Sequence, residues 1–559
     1  MKPKGTAVNR RRLLGGALLG GAGGLLVAAC GGGTKSEPSG TGESKAAGTA
    51  GAAQIQQKEP VRGGTLSYSI GGDPPNFDVH SQATYLVNTT MAPVYNLLVR
   101  FKPSNVEEAP DGIEGDLAKS WEQSGDGLRY TFKLNEGVTF HDGKPFTSAD
   151  VKASLERMMN PPKGVVSPRQ DSLAVIDKME TPDPGTLTLA LKQPAPSLMP
   201  ILSQGWMAIY SAQDIAENFD FKLKANGTGP FKLKDYARGN RLALEANPTY
   251  FMKGKPYLSA INLFIQVDSG ARVSAFQSGQ TNFSLLFTES EIESLEAALG
   301  KKMTVERRNS YGFNSVNFRH NAPWTDERVR RALSLGIDRQ ESIDLLYEGK
   351  GFHGGYMPGG GGWALSEDEL RAVPGYAKHS DKTVAEAKQL LQAAGVKQGH
   401  QTVLLTRRGS SYENHSIFLK DQLAKIGIDA RPQVMEDAAA YDAFNSRNYD
   451  LGPWGHSIAL DDPDAVFAEF YLSDSPRNYS GIGSPEVDAL FKKQSQTLDL
   501  NERKKLVKEM QLKALPLYGK LIEAWSTRRW AWWNTVQGYT SHVGLYNYNT
   551  HEQTWVEKA

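Results

Sequence analysis

The segment A-K-S-W-E-Q-S-G-D-G-L-R-Y-T-F-K-L-N-E-G-V-T-F-H-D-G-K-P-F-T-S-A-D-V, residues 118–151, is the most strongly patterned part of the chain. Apolar and polar residues alternate over residues 130–134, which predicts a strand with one buried face. A glycine-containing turn follows at residues 135–137, and Val138 and Phe140 then share one face of a predicted second strand. The segment therefore predicts a hairpin.

A helix is predicted directly after this hairpin. Thr147 with Asp150 three residues later resembles a capping box. Val151, Leu155 and Met158 follow at helical spacing, and the run at residues 160–162 ends the pattern with two prolines. These local signals agree with one another, but they contain no nucleophile and no metal cluster.

The composition bounds the class of protein. A chain of 559 residues is too long for one ordinary core and predicts two or more domains. The net charge of +1 argues against a nucleic-acid partner. Strands are predicted near residues 65–70 and 449–454, and helices near residues 325–339, 384–395 and 502–515, without an internal repeat.

The first thirty residues read as an export signal. Arg10, Arg11 and Arg12 precede an apolar run at residues 13–29. The consecutive arginines resemble the Tat type of signal. A transmembrane anchor is the alternative, although the run is short and rich in small residues.

The only cysteine, Cys30, follows this run in V-A-A-C, which resembles a bacterial lipobox. Its lipidation would hold the exported protein on the membrane surface. An ordinary buried or free cysteine is the alternative reading. Residues 31–60 lack aromatic residues and carry one large aliphatic residue, so they predict a flexible tether.

Signatures of catalysis are few. The sequence lacks H-E-x-x-H, G-x-S-x-G, a phosphate loop and G-x-G-x-x-G, and its ten histidines are scattered. We therefore expect no metal and no cofactor. The densest carboxylate cluster, D-D-P-D at residues 461–464, fits either acid/base work as in glycosidases or an Asp-rich turn before a helix.

Several sequence blocks together resemble one protein family. The opening segment closely resembles the signature of the family 5 extracellular solute-binding proteins, the peptide/nickel-type receptors of ABC importers. The later blocks, in the expected order, are G-T-G-P-F from Gly227, V-R-R-A-L-S-L-G-I-D-R from Val329, A-E-A-K-Q-L-L-Q-A-A-G from Ala385, Y-D-L from Tyr449, Trp454 with the D-P-D of residues 462–464, and N-Y-S-G-I-G-S-P-E-V-D-A-L from Asn478. The resemblance covers residues 61–559.

The resemblance implies an α/β, two-lobed periplasmic-binding-protein fold with ligand in the cleft between the lobes. Lobe I would comprise residues 61–318, including an extra subdomain at about residues 100–225 that contains the opening segment. Lobe II would comprise residues 319–516, and residues 517–559 would return to lobe I. The crossings are expected near residues 317–320 and 516–517.

The resemblance also implies a function without catalysis. Ligand would favour closure of the lobes, and a membrane permease would recognise the closed form. ATP would be hydrolysed by a partner ATPase, and the receptor itself would act as a monomer. Peptides are the commonest solutes that the family implies.

One departure from the family concerns the ligand's ammonium group. In dipeptide and oligopeptide receptors an Asp three residues before the acidic-Pro dipeptide pairs with that ammonium, and here Ala459 precedes Asp462-Pro463 by this distance. Asp461 or Asp462 is a possible substitute. Otherwise the ligand lacks a free amino terminus, which keeps long peptides, oligosaccharides, opines and metal chelates open.

The sequence therefore offers a small set of candidate ligand-binding residues: Tyr85, Trp206, Trp454, Asp461, Asp462 and, through a bidentate contact to a carboxylate, Arg408 or its neighbour Arg407. For each aromatic residue, core packing is the alternative. Two other functions remain open: a secreted hydrolase that uses Asp461, Asp462 and Asp464, and a chemosensory or scaffold lipoprotein on the same fold.

Overall fold

The computed structural model describes residues 59–557 except positions 164, 166, 545 and 548. The predicted export signal, Cys30 and the tether up to residue 58 lie outside the described residues. Within the described part of the chain, no helix is long and apolar enough to cross a membrane.

The strands bear out the predicted alternation of apolar and polar residues. In chain order they are β1 (Thr65–Ile70), β2 (Val99–Phe101), β3 (Ile113–Gly115), β4 (Ala118–Gln123), β5 (Arg129–Leu134), β6 (Ile176–Asp183), β7 (Thr186–Leu191), β8 (Phe231–Ala237), β9 (Arg241–Ala246), β10 (Ala260–Ile265), β11 (Phe283–Ser284), β12 (Met303–Phe318), β13 (His400–Arg407), β14 (Ile428–Met435), β15 (Leu451–Ser457), β16 (Lys520–Trp533), β17 (Val536–Gln537) and β18 (Trp555–Val556).

The helices lie between these strands, singly or in consecutive groups. They are α1 (Tyr85–Met91), α2 (Ser148–Met159), α3 (Leu198–Leu202), α4 (Ala212–Ala216), α5 (Ser269–Gln277), α6 (Glu289–Leu299), α7 (Glu327–Gly336), α8 (Arg339–Leu346), α9 (Glu367–Arg371), α10 (Asp381–Ala393), α11 (Ser410–Lys425), α12 (Asp437–Asn445), α13 (Pro463–Phe470), α14 (Pro485–Gln494) and α15 (Leu500–Ala514).

Two long antiparallel strands, β12 and β16, join the two halves of a ten-stranded sheet. The strand order is β14-β13-β15-β12-β16-β11-β1-β10-β9-β8. Each half contains a parallel pair, β1 with β10 in one and β13 with β14 in the other. Apolar cores cover each half separately, so β12 and β16 cross between two packed bodies.

The register between the crossing strands shifts twice near the middle. Met303–Asn309 of β12 pairs with the end of β16, whereas the residues from Phe313 onward pair with its beginning. The first shift, called the register break below, lies between Asn309 and Phe313, and the second lies between Asn314 and Ser315. The predicted boundary at residues 318 and 319 lies at the end of β12, downstream of this break. The division into lobes stays a prediction.

The opening segment contributes β4 and β5 to a smaller sheet of order β4-β5-β7-β6, which has its own apolar core. Tyr130, Phe132 and Leu134 are buried on one face of β5, as predicted. The helix prediction is also confirmed: Thr147 and Asp150 form a capping box at the start of α2. Val138 and Phe140 are buried but form no strand, so that prediction was wrong.

Candidate functional site

A cavity of about 160 Å³ lies beside the crossing strands, near the register break. Residues 309–311 of β12 form one wall. The β2–β3 loop, residues 107–111, forms the second, and residues 358–363 with Asp461 form the third. Segments that precede and follow the first crossing strand therefore meet at this cavity.

Asp461 is the most unusual residue of the cavity. It is 7% exposed, and its Oδ1 atom accepts no hydrogen bond from the described residues. Its backbone carbonyl accepts a hydrogen bond from Nε1 of Trp363 at 3.0 Å, which fixes the residue in place. Burial raises the pKa of Asp461 well above its ordinary value, and the charges of Glu108 and Asp462 raise it further. The ionised form of Asp461 is costly to bury without a cationic partner, so a cation bound at this point would stabilise it.

Glu108 supplies a second buried carboxyl group. Its Oε2 atom accepts a hydrogen bond from the backbone nitrogen of Asp461 at 3.4 Å, and its Oε1 atom accepts one from Asn547. Burial raises its pKa to about 7. Lys504 of α15, an exposed residue, also lines the cavity. Two buried acids in one cavity suit an ammonium or guanidinium group.

Glu108 is expected to make stability depend on pH. Its pKa rises from the ordinary value of 4.5 to about 7 in the folded protein, so the folded state holds a proton that the unfolded state releases between these values. The free energy of unfolding should therefore fall as pH rises through this window, by up to about 1.4 kcal/mol per pH unit from this group.

Urea unfolding of the wild type and of Glu108→Gln across this window measures the effect. The variant should have a shallower dependence on pH, because glutamine does not titrate. The remaining slope would come from other buried acids such as Asp461 and Asp116, whose pKa values are also raised by burial. An identical slope in both proteins would contradict the assignment.

Asp462 has a different environment from Asp461. It is 1% exposed, and its two carboxylate oxygens accept hydrogen bonds from Arg503 at 2.8 and 3.0 Å. Its Oδ1 atom also caps α13 by accepting from the backbone nitrogen of Asp464. Asp464 in turn contacts Ser197 and Gln494. The D-P-D run is thus an Asp-rich turn before a helix, which was one of its two readings.

The predicted aromatic residues do not meet at one place in the described contacts. Tyr85 begins α1, and its hydroxyl accepts a hydrogen bond from the backbone nitrogen of Gly71 at 3.2 Å. Trp206 is 1% exposed and lies under the guanidinium of Arg169, 4.4 Å from the ring centre. Neither lines the cavity beside Asp461.

Trp454 lies in β15 and is 2% exposed. Its ring packs 4.1 Å from that of Phe444, and the guanidinium of Arg407 lies 4.6 Å from its centre. Arg408, by contrast, is exposed and forms a surface ion pair with Glu436 at 2.5 Å. Ala459 is half-buried in the loop after β15. Of the six predicted residues, Asp461 alone lines the cavity.

Sequence reasoning missed Glu108 and the glycine run at residues 359–362, whereas Trp363 lies in a glycine-rich segment where a large aromatic side chain suggests a binding cleft. The sequence does contain a signal for Glu108, because two adjacent acidic residues stand shortly before a proline in E-E-A-P-D. The glycines allow close approach: a Cβ atom at Gly361 would lie 2.6 Å from Oδ2 of Asp461. Nothing in the sequence indicates that these segments meet, since Glu108 and Asp461 are 353 positions apart.

Comparison with known proteins identifies a family. The model of the bacterial extracellular solute-binding proteins, family 5 Middle, matches residues 112–478. The chain is 26% identical over 533 residues to the oligopeptide-binding protein AppA of Bacillus subtilis, covering 89% of this chain and 93% of the relative. It is 31% identical over 404 residues to a putative ABC transporter peptide-binding protein of Brucella ovis, covering 70% and 72%.

Solved structures show the same fold. The structure of AgaA from A. tumefaciens R10, in complex with agropinic acid, superposes with a TM-score of 0.74 at 27% identity. The match covers 89% of this chain and 99% of AgaA. The predicted α/β periplasmic-binding-protein fold is therefore confirmed.

Proposed function

The chain belongs to the bacterial extracellular solute-binding proteins of family 5, and from this premise we propose that it captures peptides and delivers them to an ABC permease. The relatives named above as peptide-binding proteins support a peptide ligand. The receptor role places the chain outside the cytoplasm. Lipidation of Cys30 would hold it at the outer face of the membrane, and ATP would be hydrolysed by the permease's partner.

The observation that carries the proposal is the buried, unpartnered Oδ1 atom of Asp461 at the cavity. This oxygen lacks a hydrogen-bond donor, and the ammonium group of a peptide would supply one together with a counter-charge. Asp461 would thereby supply the counter-charge that Ala459 cannot. Glu108 beside it would release its proton when the cation binds, because a nearby positive charge lowers the pKa of a carboxyl.

An opine is the second candidate ligand. AgaA was solved with agropinic acid, and this chain carries alanine where an ammonium-binding aspartate is expected. The hydrolase reading has less support, because Arg503 forms ion pairs with both Asp462 and Asp464, and Asp464 also contacts Ser197 and Gln494. A turnover assay with Asp462→Asn tests it: activity abolished by that change would contradict the receptor proposal.

Native mass spectrometry of the exported form, purified without residues 1–30, tests the ligand class. A spread of adducts with the masses of short peptides is expected. Addition of a defined tetrapeptide mixture should exchange these adducts. A single adduct with the mass of an opine, sugar or metal chelate, not displaced by the peptides, would contradict peptide capture. The protein would then still be a receptor, but for a different solute.

The pH dependence of binding offers an independent check. If a cation binds beside Glu108 and Asp461, its affinity should increase as pH rises from about 5 to about 7, because the deprotonated carboxyls attract it. N-acetylated tetrapeptides carry no such cation and should not show this increase. Equal pH profiles for both kinds of peptide would contradict the assignment of the cavity.

A further inference from the structure

We infer that Gly544 and Asn547, in the chain after β17, position the carboxyl group of Glu108 and so control the pH at which the acidic cavity accepts a cation. The inference rests on the proposed function, because it requires a cation to bind beside Glu108. Neither residue lines the cavity itself, so each acts on the ligand only through Glu108. Asn547 is therefore a positioning residue.

The chain after β17 is fixed between the crossing strand β12 and the loop that carries Glu108. Oγ of Ser541 accepts a hydrogen bond from Nε of Arg308 in β12 at 3.0 Å. The backbone nitrogen of Val543 donates to the carbonyl of Val106, in the loop, at 3.0 Å. These contacts hold the chain beside Glu108 before any ligand arrives.

Asn547 presents a hydrogen-bond donor to Glu108. The residue is 7% exposed, and its Oδ1 atom accepts a hydrogen bond from the backbone nitrogen of Gly205 at 2.9 Å. Its Nδ2 atom donates to Oε1 of Glu108. Because Gly205 engages the amide oxygen, the amide turns its NH2 group toward the carboxyl. A donor in this position favours the ionised form of Glu108.

Gly544 leaves room for the carboxyl group. A Cβ atom at this position would overlap Oε1 of Glu108. The backbone of Gly544 is not left-handed, so space rather than conformation requires a glycine here. Any larger residue would displace the carboxyl group from Asn547, and the two residues therefore form one niche for it.

The environment of Glu108 is balanced between its two protonation states. Burial raises the pKa of its carboxyl to about 7, and hydrogen bonds from Asn547, from the backbone of Asp461 and from Tyr311 oppose that rise. The titratable groups that line the cavity with it are Glu107 and Asp111 of its own loop, Tyr311 of β12, Asp461 after β15 and Lys504 of α15. Of the three donors, Asn547 has the largest effect, so its loss should keep the proton on Glu108 to a higher pH.

The affinity for peptides at two pH values tests the inference. Isothermal titration calorimetry at pH 5.5 and pH 7 compares tetrapeptides with free amino termini and their N-acetylated forms. In the wild type, the ratio of the two affinities should rise between these values. Asn547→Leu removes the donor without adding a charge. If it raises the pKa of Glu108 by about one, the ionised fraction and the ratio at pH 7 should fall by about fivefold.

Asn549→Leu is the matched control. Asn549 is also 7% exposed, but its Nδ2 atom donates to Asn88 at 2.9 Å instead of to Glu108. This variant should keep the wild-type ratio at both pH values. An equal fall in both variants, or an unchanged ratio in Asn547→Leu, would overturn the inference. Circular dichroism melting checks that each variant folds.

Two other variants decide the question if Asn547→Leu does not fold. Asn547→Asp keeps the shape of the side chain and an acceptor for Gly205, replaces the donor with an acid, and should also lower the ratio at pH 7. Gly544→Ala should lower it by displacing the carboxyl group. Gly125→Ala, at a glycine with open space around it, is the control and should leave the ratio unchanged. Wild-type ratios in both Asn547→Asp and Gly544→Ala would overturn the inference.

Equal affinities for free and acetylated peptides in the wild type would contradict the cation of the proposed function, and urea unfolding then decides the inference without a ligand. The stability that Glu108 loses as pH rises should reach its limit near pH 7 in the wild type, where the folded protein releases the proton. In Asn547→Leu the loss should continue above pH 7, and adding Glu108→Gln should abolish this continuation. The same upper limit in Asn547→Leu and the wild type would overturn the inference.

Discussion

Replacement of Arg503 with alanine is expected to lower the free energy of unfolding by about 3–5 kcal/mol, the usual cost of removing one partner of a buried ion pair. Arg503 is 1% exposed. It donates two hydrogen bonds to Asp462 and a third to Gln494 at 2.9 Å. Its guanidinium also stacks 4.7 Å from the ring of Trp363. The substitution would leave the carboxylate of Asp462 buried without a counter-charge.

Urea unfolding followed by circular dichroism measures this loss. Arg371→Ala is the matched control, because its ion pair with Glu367 is on the surface and should contribute within about 1 kcal/mol. The double variant Arg503→Ala/Asp462→Asn should recover part of the loss, since it removes the unpaired charge. A decrease below about 1 kcal/mol for Arg503→Ala would show that the pair does not hold α13 and α15 together.

Replacement of Asp461 with asparagine is expected to weaken the binding of peptides with free amino termini by about 30-fold or more. Truncating one partner of a buried charge pair typically costs about 2–5 kcal/mol, and each 1.4 kcal/mol is about tenfold in affinity. Asparagine keeps the shape of the side chain and removes its charge. The folded protein itself should be no less stable, because Asp461 has no cationic partner within the described residues.

Isothermal titration calorimetry measures the change in affinity, with tetrapeptides that mass spectrometry shows to bind the wild type. N-acetylated forms of the same peptides should bind the wild type and Asp461→Asn equally. Glu367→Gln, which removes an exposed carboxyl group, is the control for a general effect of charge. If Asp461→Asn binds peptides with free amino termini as tightly as the wild type does, Asp461 is not the ammonium-binding residue.

Local signals in the sequence predicted local structure well. The capping box at Thr147 and the buried face of β5 were both readable, because each depends on residues a few positions apart. The missing strand at residues 138–140 has a tertiary cause. Both edges of β5 are already hydrogen-bonded, one to β4 and the other to β7, so no edge remained for the predicted hairpin partner.

The candidate site was harder to predict, because it too depends on contacts between residues that are far apart in the sequence. Asp461 and Asp462 are adjacent and chemically identical, and the sequence offered no way to choose between them. The difference lies in Arg503, 41 positions away, which engages Asp462 and leaves Asp461 beside the cavity. Trp206 and Trp454 were equally ambiguous, since a large aromatic side chain fits a core as well as a cleft.

The contacts between the crossing strands indicate how a rotation of one half of the receptor against the other could be measured. On one side of the register break, Glu289 binds Arg307 and Arg529, one from each strand. On the other side, Lys520 of β16 donates to Asn317 of β12 at 2.6 Å. Side-chain contacts thus join the two strands on both sides of the register break. Any rotation of the halves is confined to the short stretch between these contacts. A distance between two spin labels, one on each half of the sheet, would therefore report such a rotation directly.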